Sequence, residues 1–185
     1  MNRAMYPTLI KNLIERLKRE VPSALAHDPL RAIPVGPLKP KFKTNEPKRP
    51  GSVLILMYED EGEIKFPLIK RPEYPGAHGG QISLPGGKAE AGEDAVQTAL
   101  REANEEIGVP SHDVSILGRL SEFHVILSNF LITPVVASIS YKPHWIPDPY
   151  EVAGILTGTV NNLIKKDAVG NTEMNAAGQY KMKAP

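Results

Sequence analysis

The segment DAVQTALREANEEIG, residues 94–108, admits one local structure. Asp94 and Gln97 make a capping-box-like start, Gly108 is a suitable C-terminal cap, and Pro110 stops any continuation. The spacing predicts a helix over 94–107. A helix turns by about 100° per residue, so with Glu102 at zero, Glu105 falls at about −60° and Glu106 at about +40°. Val96, Ala99, Leu100, Ala103 and Ile107 occupy the adjoining arc, from about +60° to about +160°. Such a helix buries one arc and holds three carboxylates at the border of a core. Like charges one turn apart weaken a helix, and desolvating each costs roughly several kcal/mol. Two readings are open. Either the acidic arc is an ordinary solvated face, or a divalent cation such as Mg²⁺ or Mn²⁺ takes these hard oxygen ligands.

Around this helix the chain reads as strands. The apolar run GSVLILMYED (51–60) suggests a buried strand. Glu61-Gly62 supplies a turn and IKFPLIKR (64–71) the second arm of a hairpin, with Pro67 arguing for a sheet edge or a bulge. Short extended pieces lie in ISLPGGKAEAGE. Further strands are expected at 114–120, 130–141 and 151–157, then a short helical segment, NNLIKK. Near the start, Leu9, Ile10, Leu13, Ile14 and Leu17 form one stripe of an amphipathic helix over 7–20. Mixed strands with one strong central helix predict a layered α/β or α+β domain.

The remaining residues mostly exclude. The chain holds 18 prolines, many within 22–50 and 143–149, which forbid long helices there. Lys39, Lys41, Lys43, Lys48 and Arg49 make residues 38–49 a basic loop: a solvated connector or an arm that contacts phosphate or a partner. The tail from Asp167 to Pro185 shows no periodicity. With no cysteine, disulfides, zinc–thiolate sites and a Cys nucleophile are excluded, which fits a reducing cytoplasm. A net charge of +1 gives no bulk electrostatic case for a nucleic-acid or membrane partner. The first residues lack a signal-like apolar core, and no apolar run reaches the roughly 18 residues of a membrane span.

Spacing sharpens the acidic helix. Gly87 is followed after five residues by Glu93, after seven more by Arg101-Glu102, then after two by Glu105-Glu106, Ile107, Gly108 and Val109. This resembles the Nudix box, the signature of hydrolases acting on a nucleoside diphosphate linked to another group. Every charged position and both glycines match; Ala103 stands where a bulkier aliphatic residue is usual. The resemblance implies an α/β/α sandwich with a mixed sheet and the box as a loop–helix–loop. It makes residues 1–49 an N-terminal helix with a Pro-rich basic connector, and 50–185 the Nudix domain. It implies that Gly86 and Gly87 permit a tight turn with a carbonyl facing the metal, and that Glu93 and Arg101 brace the loop against the helix. It makes Glu102, Glu105 and Glu106 ligands of Mg²⁺ or Mn²⁺, one of them also able to orient or deprotonate the attacking water. Glu122 and Glu151 are candidates for a base from a later loop, or else ordinary exposed acids.

The flank LIKRPEYPGAHGGQISLPGGK resembles the segment before the box in coenzyme A pyrophosphatases. Leu68, Arg71, Gly80, Pro85, Gly86 and Gly87 fit, whereas Pro67, Ile69, Pro72, Gly76 and Leu84 depart from the pattern. Gly76 removes an arginine that contacts phosphate in that pattern; His78 or a basic residue of 39–49 is its candidate replacement. Arg71, His78, Gly86 and Gly87 are thus the expected substrate contacts. The implied reaction splits coenzyme A or acyl-CoA into 4′-phosphopantetheine and adenosine 3′,5′-bisphosphate. ADP-ribose or NADH hydrolysis, and a non-catalytic nucleotide-binding module, are the alternatives. Nudix domains usually end in a helix on the second sheet face. No such helix is visible after NNLIKKD, so either the chain is truncated there or helix 7–20 covers that face, and a homodimer stays open.

Overall fold

Residues 5–37, 46–73, 79–126, 128–176 and 180–184 are described by a computed structural model of the chain. In order, its elements are α1 (Met5–Leu17), α2 (Ala24–His27), β1 (Ile33–Pro34), β2 (Arg49–Asp60), β3 (Glu63–Lys70), β4 (Ile82–Ser83), β5 (Gly86–Lys88), α3 (Ala95–Ile107), β6 (Ser115–Arg119), β7 (Phe123–Val125), β8 (Phe130–Ser138), β9 (Gly154–Thr159), α4 (Val160–Leu163), β10 (Thr172–Ala176) and β11 (Tyr180–Ala184).

The apolar run at 51–60 lies inside β2, the central strand. It pairs in parallel with β8, from Arg49 opposite Phe130 to Met57 opposite Ser138. It also pairs antiparallel with β3 through the Glu61-Gly62 turn, and with β5 at Gly51–Val53. With β4 and β9 on β3, and β6 and β7 on β8, the sheet has eight strands. Side chains alternate along β2 and β8, so the two faces have different cores. Leu54, Leu56, Tyr58, Val135 and Ala137 lie on one face, beneath Ala99, Ala103 and Ile107 of α3. Met57 and Val136 point the other way, joined by Leu117 and covered by Tyr6, Ile10, Leu13, Ile14 and Leu17 of α1. A fully buried Leu, Ile or Val contributes roughly 1.5–3 kcal/mol. Leu54, Leu56, Ile69 and Ile107 are 0% exposed, while the α1 residues are only half-buried, so the α3 layer is the stronger of the two. The arrangement is a three-layer α/β/α sandwich, with α1 covering the second face, one of the two alternatives read from the sequence.

α3 begins and ends as its sequence requires. The Asp94 carboxylate accepts from the Val96 and Gln97 N–H groups, and the Gln97 side chain accepts from Asp94 N–H at 2.8 Å. Gly108 takes φ 72°, open to glycine at no steric cost, and its N–H reaches Asn104 O at 3.0 Å. The last carbonyls of α3 accept from the proline-rich segment: Ile146 N–H to Ile107 O at 3.0 Å and Asp148 N–H to Glu106 O at 3.1 Å. That docking brings the following loop, with Glu151, against the acidic end of the helix.

Several expectations change. Pro67 is neither at a sheet edge nor at a bulge. β3 pairs with β9 along residues 65–70, and on its other side meets β2 at 63–65 and β4 at 69–70. Pro67 falls in the gap between those two pairings, where a missing N–H can be tolerated. The strand expected over 130–141 stops at Ser138, and that expected at 151–157 runs from Gly154 to Thr159. In α1, Tyr6 rather than Leu9 joins the packed stripe, with its hydroxyl within 2.8 Å of Met57 O and 3.1 Å of Ile139 O. The tail is not structureless: β10 and β11 form a hairpin, and β11 also pairs with β1 from the proline-rich connector. A two-residue strand and a polar hairpin carry no periodic signal. Lys39, Lys41, Lys43 and His78 lie outside the described residues. Among the described residues no helix is long and apolar enough to cross a membrane.

Candidate active site

The three glutamates of α3 have three different environments. Glu106 is 1% exposed. Its Oε2 accepts from Gly86 N–H at 2.8 Å, and Arg71 Nη2 approaches its Oε1 at 3.4 Å. Burial pushes its carboxyl up to about 7; the Gly86 bond and Arg71 oppose that, and the Glu102 and Glu151 charges reinforce it. Glu102 is half-buried, and burial again raises its pKa, with Arg101 opposing and Glu105 and Glu151 reinforcing. Glu105 lies at the exposed side, paired with Arg101 at 2.9 Å. The shared arc read from the helical wheel is thus graded from interior to solvent.

Arg101 organises the outer part. Its Nε donates to Glu93 Oε1 at 2.7 Å and its Nη2 to Glu93 Oε2 at 3.0 Å, a two-point pair. The same guanidinium reaches Glu102 at 3.0 Å and Lys88 O at 3.0 Å. Glu93 accepts also from Glu90 N–H and the Thr98 hydroxyl, and Arg101 holds its carboxyl down to about 2. The 89–94 loop is therefore tied to α3 by one arginine, as a brace requires.

Both glycines sit where a side chain would not fit. Gly86 has φ 153°, and a Cβ there would overlap the Ser52 carbonyl and Val53 Cα of β2. A Cβ on Gly87 would overlap the Glu102 carboxylate. Beside them opens a cleft of about 370 Å³, lined by Arg71, Gly86, Gly87, Lys88, Phe130 and Ile132 among others. Three of the four expected substrate contacts, Arg71, Gly86 and Gly87, therefore share one concave surface. Sequence reading missed Lys88 and Phe130. Phe130 comes from a strand paired across the sheet, a placement no local signal shows.

Of the two candidate bases, Glu122 lies elsewhere, accepting from the Thr133 hydroxyl at 3.4 Å beside a separate cleft on the Glu93 side. Glu151 raises the pKa of both Glu102 and Glu106, so its charge faces that pair. The donor set suits a hard divalent cation: carboxylate oxygens, two of them desolvated enough that their own charges are resisted. Among the described residues no three His, Asp or Glu groups converge closely enough to hold a metal ion. Arg101 meanwhile engages Glu102 and Glu105.

The family profile described as NUDIX domain matches residues 48–146. Among curated proteins, "Nudix hydrolase 3" of Caenorhabditis elegans is 36% identical over 118 residues, covering 62% of this chain and 49% of that protein. "Nudix hydrolase 15, mitochondrial" of Arabidopsis thaliana is 34% identical over 151 residues, covering 78% and 52%. The chain thus spans about half the length of the curated relatives it matches. In fold it is similar to a C. elegans Ap4A hydrolase binary complex, with TM-score 0.52 and 20% identity over 63% of this chain and 83% of that one. The MutT protein of Methanosarcina mazei Go1 gives 0.51 and 21% over 69% and 88%. At such identities the two structures speak for the fold alone, which is the α/β/α sandwich described above.

Proposed function

The chain belongs to the NUDIX family, and from that premise we propose that it hydrolyses a nucleoside diphosphate derivative, coenzyme A or acyl-CoA first, with a divalent cation. One observation carries this reading: Glu106, buried and resisted in its charge, stands with Glu102 beside a cleft whose Arg71 and Lys88 suit an anionic substrate. Glu102, Glu105 and Glu106 would hold the cation, which would neutralise diphosphate charge and acidify a water. Arg71 and Lys88 bind the phosphate oxygens. The glycine turn lets β5 lie close against β2 and the Glu102 carboxylate, which sets the edge of the cleft. Glu93 and Arg101 keep loop and helix in register. A water oxygen bonds to phosphorus, the bridging P–O bond breaks, and the water proton passes to a carboxylate, for which Glu151 is the candidate because its charge is felt by both Glu102 and Glu106. The coenzyme A assignment rests on the flank from Leu68 to Gly87, with Arg71 at the cleft.

The test is a panel of coenzyme A, acetyl-CoA, ADP-ribose and NADH with Mg²⁺ or Mn²⁺, products resolved by mass. Expected are 4′-phosphopantetheine and adenosine 3′,5′-bisphosphate from coenzyme A. The Glu106→Gln variant should stay folded and lose about 10²-fold in kcat. Preferential cleavage of ADP-ribose would replace the substrate assignment, and no cleavage of any member would leave a binding module.

A further inference from the structure

Phe130, which lines the cleft, also carries Arg49, the first residue of β2, on its ring. Residues 49, 51 and 53 alternate onto one face of that strand. A Cβ on Gly51 would meet Gly87 O at 2.7 Å, Ile132 Cδ1 at 3.0 Å and Phe130 Cδ1 at 3.2 Å, so this is the cleft face. Gly51 is buried, and Phe130 and Ile132 close over it against β2. Val53 lies at the cleft, opposite Gly86, whose N–H holds the Glu106 carboxylate. Arg49 lies four residues or roughly 13 Å along the strand, beyond Phe130. Its backbone is pinned by N–H donation to Asn129 O at 2.9 Å. Its guanidinium lies 4.2 Å from the centre of the Phe130 ring. No ion pair among the described residues engages Arg49 or Lys88.

An arginine laid over an aromatic face is held in place while its N–H edges stay available, and that planar fork matches two phosphate oxygens. Holding it beforehand lowers the ordering cost of binding. Arg71 serves the diphosphate end, so a second cation site, held on the Phe130 ring at the cleft's edge, suits a second anion on the same substrate. We propose that Arg49, stacked on Phe130 and assisted by Lys88, is a specificity-determining receptor for a further phosphate on the ribose of the nucleoside diphosphate. This rests on the cleft being the nucleotide site of the reading above, and it narrows the substrate class: a ribose phosphate at the 3′ position marks coenzyme A compounds, one at the 2′ position phosphorylated dinucleotides.

Calorimetry with adenosine 3′,5′-bisphosphate, adenosine 2′,5′-bisphosphate and adenosine 5′-monophosphate tests the receptor without requiring turnover. The protein should bind one bisphosphate at least tenfold more tightly than the monophosphate, and which one names the source. Arg49→Ala should bring that ratio close to one, and Phe130→Leu should reduce it several-fold, with thermal melting confirming that each variant folds. Arg49→Lys keeps the charge without the planar fork and should restore part of the ratio. Equal binding of all three nucleotides, no binding of any, or an unchanged ratio in folded Arg49→Ala overturns the proposal. If the bisphosphate preference depends on Arg49 and yet no diphosphate is cleaved, the receptor stands and the hydrolase reading falls. If coenzyme A is cleaved with no such preference, the hydrolase reading stands and the receptor falls.

Discussion

Burial and the charges of Glu102 and Glu151 push the Glu106 carboxyl up to about 7, against an ordinary value of 4.5. For an acid raised on folding, the linkage sign is fixed. The stability it lends is whole below pH 4.5 and is lost as pH rises through about 7. A shift of that size corresponds to something on the order of 3 kcal/mol at pH 8 in the metal-free protein. Glu106→Gln abolishes the titration while its amide oxygen can still accept from Gly86 N–H. Urea unfolding of the metal-free variant should therefore show a higher midpoint than wild type at pH 8 and a similar one at pH 5. Adding Mg²⁺ should narrow or reverse the order at pH 8, because a ligand that binds only the folded state stabilises it by mass action. Parallel pH profiles for the two proteins would remove Glu106 from the account.

β5 is only three residues long, and its two glycines serve different purposes. Gly86→Ala drives a methyl into the Ser52 carbonyl and Val53 Cα, atoms that cannot move without the sheet, at a φ that alanine resists. The expected cost is about 3 kcal/mol or more. Gly87→Ala instead meets the end of the Glu102 side chain, which can swing away. Its melting temperature should stay within a few degrees of wild type while turnover falls by about tenfold or more, since the displaced group is a proposed ligand. Equal stability losses in the two variants would show that no such division exists. The same contrast explains what was legible in the sequence. α3 could be read to its caps because a capping box, an apolar arc and a C-terminal glycine are all local. So could the Glu93–Arg101 pairing, through the fixed spacing of the box. The gradation among Glu102, Glu105 and Glu106 was not legible. It depends on β5 and Arg71 closing over one carboxylate and on Arg101 engaging the other two. Phe130 entered the cleft through a parallel pairing with β2, and Pro67 found its gap through β9. Neither leaves a mark in its own neighbourhood.

The small sheet joins segments far apart in the chain. β1 lies just after α2, and β11 close to the C-terminus, yet Ile33 stands opposite Lys183 and Pro34 opposite Met182. Met182 is 5% exposed and lines a small cavity with Arg31, Phe123 and His124. Arg31 in turn stacks 4.9 Å from the Phe123 ring centre, and His27 meets the same ring edge-on. Val125 of β7 borders both that cavity and the cleft beside Gly86 and Gly87, so the small sheet supports one wall of that cleft from behind. Its own core is slight, because β1 supplies two residues and the exposed Ile33 and half-buried Pro34 bury little. Opening free energies follow buried apolar contact, so this sheet should open far more often than β2 and β8. Hydrogen exchange should then show amides of 180–184 exchanging at least about a hundredfold faster than those of 54–57 and 135–137. Met182→Ala removes a buried apolar side chain from the cavity wall and should abolish the residual protection of the small sheet. Slow exchange in the central strands should survive, since among the described residues neither of their two cores draws on β11. If instead the substitution speeds exchange at 54–57 and 135–137 to the same degree, the hairpin is part of one cooperative unit with the sandwich, and the wall behind the cleft is as rigid as its floor.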